Sequence, residues 1–166
     1  MKKYLVIFGA AILYSCASYA QTSDDTSVAF IESSIRQIRQ KSNSGEVPAS
    51  LKQFYGWFKK DMKDCKNQPY FNPFTQRITD ESIKNGIYNT VEIVTANPGA
   101  KVKYQTVYSR IKKSEPLETN NPTNNCINQL PLGYYYVWTE RGNNPTSDKN
   151  KQVWISGPQK IMLLEQ

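Results

Sequence analysis

The hydrophobic period of this chain changes once, near Tyr88, and that change limits the folds open to it. Before Tyr88 apolar residues recur at helical spacing; after it they alternate. Val28, Ile31, Ile35 and Ile38 are separated by 3, 4 and 3 positions, a single stripe along a helix. Asp24 and Asp25 suit the positive N-terminal end of such a helix, and Arg36, Arg39 and Lys41 suit the other end. Ser42-Asn43-Ser44-Gly45 stops it. A second helix opens at Pro48-Ala49-Ser50, with Ser50 as its N-cap. Its apolar face is Leu51, Phe54, Tyr55, Phe58 and Met62, widened by Trp57, and Lys52, Lys59, Lys60 and Lys63 take the rest. Pro69 and Pro73 predict a loop over 66–74. Thr79-Asp80-Glu81 then caps a short third helix, which Gly86 ends from the position that favours a left-handed backbone.

Past that point, 88–95 is rich in strand formers and Asn97-Pro98-Gly99 reads as a turn. Residues 101–113 alternate, with Val102, Tyr104, Thr106 and Tyr108 on one face. An Asn/Pro-rich excursion over 115–131 holds Cys126, and 134–139 is an aromatic strand. Gly142-Asn143-Asn144-Pro145 starts a second loop, and 153–156 with 160–164 read as a hairpin around Gly157-Pro158. Helices first and strands afterwards predict an α+β fold, with N-terminal helices packed on a curved antiparallel sheet of four to five strands. The aromatic faces of the second and third helices would cover one side of that sheet. There are no internal repeats.

The first twenty residues stand apart. Met1-Lys2-Lys3 is a positive start, 4–13 is apolar, and Ala17-Ser18-Tyr19-Ala20 offers small residues at the −3 and −1 positions of a cleavage site, the pattern of a bacterial secretory signal. The apolar run falls well short of the ~20 residues that span a bilayer. Leu13-Tyr14-Ser15-Cys16 supplies an alternative, lipidation at Cys16, although Tyr14 is atypical of a lipobox. Cleavage after Ala20 is preferred. It predicts a periplasmic or secreted protein, with an outer-membrane lipoprotein as the runner-up. The domain reading is a signal over 1–20, a helix and linker over 21–49, and one α+β domain over 50–166.

Loss of the signal removes Lys2 and Lys3 and lowers the formal charge from +7 to +5. The remaining charges interleave, with no like-charge block of the kind that marks a nucleic-acid tail. Nucleic acid is therefore not an expected partner, and a membrane is one only if Cys16 is lipidated. In an oxidising compartment Cys65 and Cys126 are most simply one disulfide. It would close a loop of about 60 residues and restrict the unfolded chain by about 4 kcal/mol in the entropic account. Two thiols are the competing reading.

The chain has no histidine. That removes Ser–His and Cys–His nucleophile pairs, histidine acid–base catalysis and the histidine-containing zinc sites. Two cysteines cannot complete a four-cysteine zinc site. No phosphate-cradling glycine loop or calcium loop is present, so neither a cofactor nor a metal is expected. Carboxylates remain. Asp61 and Asp64 lie one helical turn apart, and Asp80 with Glu81 opens the third helix. Solvated helix surface and helix-cap electrostatics account for these pairs, and no catalytic residue is assigned.

The aromatic residues form the more specific pattern. Tyr134, Tyr136 and Trp138 share one face of the third strand; Tyr135, Val137 and Thr139 share the other. Tyr104 and Tyr108 alternate on the second strand. Tyrosine and tryptophan combine large area with a polar group, so Tyr104, Tyr108, Tyr134, Tyr136 and Trp138 are a candidate binding surface if that face is open. Core packing is the favoured alternative, though so many hydroxyls would need partners.

The order of parts, a Phe54-Tyr55-x-Trp57-Phe58 helix, a loop, an Ile78-Thr79-x-Glu81 helix and then a run of antiparallel strands, resembles the nuclear-transport-factor-two-like, ketosteroid-isomerase-like superfamily over residues 50–166. It looks closest to exported bacterial envelope members of unknown function. The resemblance implies a cone whose sheet wraps the helices and can hold a pocket. Isomerase-type members use an aspartate base with tyrosine and acid donors, and no residue here matches that set position by position. The helix over 28–41 and the loop around Cys126 depart from the family pattern.

Three functions follow as expectations. The first is a non-enzymatic periplasmic binding protein whose partner is another protein, such as an inhibitor or immunity protein against a secreted toxin. The second is a pocket for a small ligand, a lipid or cell-wall fragment, opening beside Tyr104 or Tyr136. The third is an isomerase- or hydrolase-type enzyme using a carboxylate and a tyrosine, which requires an acid at the bottom of such a pocket.

Overall fold

A computed structural model describes residues 23–42, 44–95, 100–118, 126–142 and 144–163, with the backbone alone for 23–25, 126 and 127. The export signal, Cys16, the side chains of Asp24 and Asp25, the turn at 97–99 and the centre of the 115–131 excursion lie outside the described residues. The fold is α+β, with helices preceding a mostly antiparallel strand region.

Helix α1 spans Ser23–Lys41 and buries the expected stripe: Ile31, Ile35 and Ile38 are closed from solvent, together with Phe30. These side chains belong to the same hydrophobic cluster as α2, α3 and the strands, so α1 is part of the core rather than an appendage to it. Helix α2, Ala49–Lys60, starts from Pro48, whose extended ψ of 146° places it at the N-cap. Ser50 is thus inside the first turn, and its hydroxyl donates to Glu81 Oε1 at 2.6 Å instead of capping its own helix. Leu51 and Phe58 are buried, while Trp57, 37% exposed, looks outward. The chain tightens into a 3-10 helix over Met62–Asn67, which brings Cys65 into the core.

Helix α3, Phe71–Lys84, begins eight residues before the expected Thr79. Pro73 is its third residue, where the backbone N–H has no intrahelical partner to lose, so a proline that reads as a loop marker is tolerated. Its end is as expected. Gly86 takes φ +64°, Gly86 N–H bonds the Ile83 carbonyl and Ile87 N–H bonds that of Ser82, the paired bonds of a Schellman cap. Asp80 and Glu81 are consequently mid-helix and are not cap residues.

The strands form two sheets rather than one. In the first, β1 (Tyr88–Thr95) pairs antiparallel with β4 (Cys126–Pro131) and parallel with β8 (Gln159–Leu163). In the second, β5 (Gly133–Arg141) is central. It is flanked on one side by β2 (Lys101–Thr106) with the short edge β3 (Leu117–Glu118). On its other side lie β7 (Gln152–Ile155) and β6 (Asn144–Pro145). The expected terminal hairpin does not form: β7 joins β5 and β8 joins β1. Two strands this short gain more by adding to longer neighbours than by pairing with each other, and both insert side chains, Val153 and Ile155 from one and Ile161 and Leu163 from the other, into one cluster. Strand β2 also ends earlier than the alternation implies. Thr106 caps a short helix α4, Val107–Ile111, by accepting from Ser109 N–H at 3.1 Å.

Val91, Ile93, Val102, Leu130, Val137 and their neighbours fill the space between the sheets. The opposite face of β5 meets the helices. The central strand β5 is thus covered on both sides, and β1 keeps one face towards solvent. Ser82 stitches the layers: its hydroxyl donates to the Ile87 carbonyl at 2.6 Å and accepts from Leu132 N–H at 2.9 Å.

Candidate functional site

Strand alternation sends the aromatic residues of β5 where the sequence implies, Tyr134, Tyr136 and Trp138 to one side and Tyr135 to the other, and both sides are covered. Tyr134 and Trp138 are each 4% exposed. Tyr134 stacks on Trp154 with centroids 3.6 Å apart and meets Phe71 edge to face. Its hydroxyl donates to Gln152. Burial pushes the Tyr134 hydroxyl up to about 12. Tyr136 lies under the Arg110 guanidinium, 4.1 Å from ring centroid to charge, and accepts from Gln152 Nε2 at 2.7 Å. Arg110 is itself held by the Lys149 carbonyl at 2.6 Å. Trp138 donates to Glu140 Oε1 at 2.7 Å beneath the 146–151 segment. Tyr134 and Trp138 are therefore covered, Tyr136 is partly buried beside them, and the hydroxyls and indole of this face are satisfied. Tyr108 is separated from them, on α4 with Lys112 over its ring.

Tyr104 is different. It opens onto a cleft of about 400 Å³ between α3, the end of sheet one and the edge of sheet two. The origin of this space lies in the strand register. Tyr88 opposite Pro131 is the last pair of the β1–β4 ladder, so sheet one stops there and the inter-sheet core loses its lid. Helix α3 contributes Gln76, Thr79 and Ile83 to one wall, and Tyr88, Tyr104 and Tyr135 form the other. Tyr135 is the floor, 2% exposed, with its hydroxyl donating to the Pro131 carbonyl at 3.2 Å. Its ring folds back over Gly133, where an added Cβ would lie 2.6 Å from both that ring and Thr79 Oγ1. Only glycine admits this closure.

The mouth is apolar. Among the described residues six large hydrophobic side chains are exposed, and three of them, Ile83, Tyr88 and Leu117, stand on this rim. Such residues are common singly, whereas convergence on one concave site marks a binding surface. Polar groups line the remainder. Thr106 donates to Gln76 Oε1 at 2.6 Å and Gln129 donates to Thr90 at 3.0 Å. Burial raises the Tyr104 phenol above its ordinary value, and burial raises Tyr135 further, so both are neutral donors at physiological pH. Among the described residues three larger depressions, two between α1 and α2 and one between α1 and the β7–β8 segment, are troughs with charged rims.

The carboxylates lie elsewhere, apart from Glu115, which is exposed at the rim. Asp61 accepts from Tyr70 and Asp64 from Asn67, both at the surface. Glu81 is 6% exposed and binds Ser50, Asn85 and Lys84, joining α2 to α3. Sequence reasoning missed this buried acid because its helix begins earlier than the prolines imply. It also missed Ile83, Tyr88 and Leu117, which come from three separate elements and have no common spacing. Among the described residues no group of three His, Cys, Asp or Glu side chains is arranged to hold a metal ion. Cys65 is buried in the helical cluster, whereas the backbone of Cys126 pairs with Ile93 of sheet one; the Cys126 side chain lies outside the described residues. In comparison with known proteins, no family model matches the chain, and neither a curated protein nor a solved structure does.

Proposed function

We propose that this chain is an exported, non-enzymatic binding protein that holds a small amphiphilic ligand in the cleft beside Tyr104. The convergence of Ile83, Tyr88 and Leu117 on one rim above the buried Tyr135 carries this reading. A cleft of about 400 Å³ is within the usual size range of small-molecule sites. The resemblance implies a cone-shaped fold that can hold a pocket. The protein-partner alternative drew its surface from Tyr104, Tyr108, Tyr134, Tyr136 and Trp138; Tyr134 and Trp138 are buried, Tyr136 is partly buried, Tyr108 stands apart on α4, and of that set Tyr104 lines the cleft. The carboxylate–tyrosine enzyme needs an acid on the floor, and the described lining offers only Glu115 at the rim.

Titration with the fluorescent probe N-phenyl-1-naphthylamine tests the site. One probe per chain should bind with a blue shift, and the Ile83→Ser/Leu117→Ser variant should weaken it by about tenfold, as expected for two lost apolar contacts. Unchanged binding in that variant would remove the cleft from consideration. Export and the Cys65–Cys126 bridge belong to the same proposal. Intact mass of protein recovered from the periplasm, with and without reductant before alkylation, should give a chain starting at Gln21 and two alkylatable thiols only after reduction. A lipidated Cys16, or two thiols without reductant, would replace those assignments.

A further inference from the structure

The cleft carries a charge bias that the chain as a whole does not. Lys and Arg number 21 against 14 Asp and Glu, yet no described lining residue is a Lys or Arg, and one, Glu115, is a carboxylate. A second carboxylate stands one layer behind the wall, where Asp80 Oδ1 accepts from Gln76 Nε2 at 3.0 Å. Among the described lining residues an anionic ligand would meet one acid and no cation, with Asp80 adding negative charge behind the wall.

The aromatic walls point the same way. Tyr104 and Tyr135 meet at 64° with centroids 6.3 Å apart, so they form a corner rather than a stack, and Tyr88 stands at its mouth. The faces of such rings are electronegative and attract a cation, most strongly where water is excluded. Elsewhere the molecule meets that demand internally, with Arg110 over Tyr136, Lys112 over Tyr108 and Lys149 over Trp138. Among the described residues no Lys or Arg is placed over Tyr88, Tyr104 or Tyr135.

Resting on the cleft being a ligand site, we propose that its ligand is an organic ammonium with a short apolar body. The ammonium sits against the faces of Tyr104 and Tyr88 within reach of Glu115, and the body lies along Ile83 and Leu117. Fixed acid charge and ring faces supply the selectivity for the head; the rim supplies most of the affinity.

Calorimetric titration of the purified protein with octyltrimethylammonium, octyl glucoside and octyl sulfate, each below its micellar concentration, isolates the head-group charge. The cation should bind about tenfold more tightly than the neutral probe, and the sulfate most weakly. Glu115→Gln, a change at an exposed position, should cost the cation about three- to fivefold and narrow its preference over the glucoside. Tyr104→Leu, which keeps the site apolar, should cost the cation about fivefold or more. If the glucoside or sulfate binds as tightly as the cation, or if neither substitution reduces the preference, the ammonium assignment is overturned while the cleft remains a ligand site. If none of the three binds, the small-ligand reading falls as well.

Discussion

Tyr134 and Tyr104 belong to paired strands of one sheet and end in opposite environments. Tyr134 faces the helices, where Phe71 and Trp154 close over its ring and Gln152 takes its hydroxyl. Tyr104 faces the inter-sheet space at the point where sheet one stops, and its ring is half-buried against Tyr135. Both phenols are held neutral by burial. Only the second has a free approach from solvent. A tyrosine becomes core or binding wall according to whether a neighbouring layer extends past it, and the register of β1 against β4 sets that limit.

The contrast can be broken most severely at Phe71. Phe71→Ala removes a ring from the closed face and should cost about 3–5 kcal/mol in urea denaturation. A cost below about 1 kcal/mol would mean the helix layer is not packed as described. Gly133→Ala acts at the junction. Its Cβ would lie 2.6 Å from the Tyr135 ring and Thr79 Oγ1, so a loss of about 1–3 kcal/mol is expected, with displacement of the cleft floor. Wild-type stability and probe binding in this variant would show that Tyr135 can leave its place freely.

Alkaline pH probes the closed tyrosine through a smaller effect. The Tyr134 hydroxyl is raised to about 12, so its contribution to stability is complete below the ordinary phenol value of about 10. That contribution is lost as pH rises through the folded value. Because its hydroxyl reaches the exposed Gln152, the loss should be only about 1 kcal/mol after screening. Urea melts at pH 9 and pH 12 should differ less in Tyr134→Phe than in the wild type; equal differences would place the titration elsewhere. The smallest stability effect is expected on the open side. Leu117→Ser, at a position 60% exposed, should change stability by less than about 0.5 kcal/mol while weakening probe binding several-fold. A large destabilisation would instead assign Leu117 to the core.

Much of this arrangement is legible in residue spacing. The stripe Val28, Ile31, Ile35 and Ile38 is buried along α1 except for the partly exposed Val28, and the odd and even residues of β5 separate onto two faces as alternation requires. Gly86 ends α3 because a left-handed residue was needed there. The early start of α3 was hidden by Pro73, since proline stops a helix interior but not a first turn. Burial of Glu81 was hidden with it. The strand pairing of 152–163 was not legible, because a Gly-Pro between two short apolar runs suits a hairpin and a crossing between sheets equally.

The sequence by itself determined the helical half, the strand half, the faces of each element and the absence of histidine chemistry, because these depend on local period and residue type. Tertiary structure alone decided which aromatic face is closed, that the strands divide between two sheets, and that Ile83, Tyr88, Tyr104 and Leu117 meet. Those outcomes depend on where one layer ends relative to another. Ladder register and long-range packing fix that limit, and no local spacing encodes it.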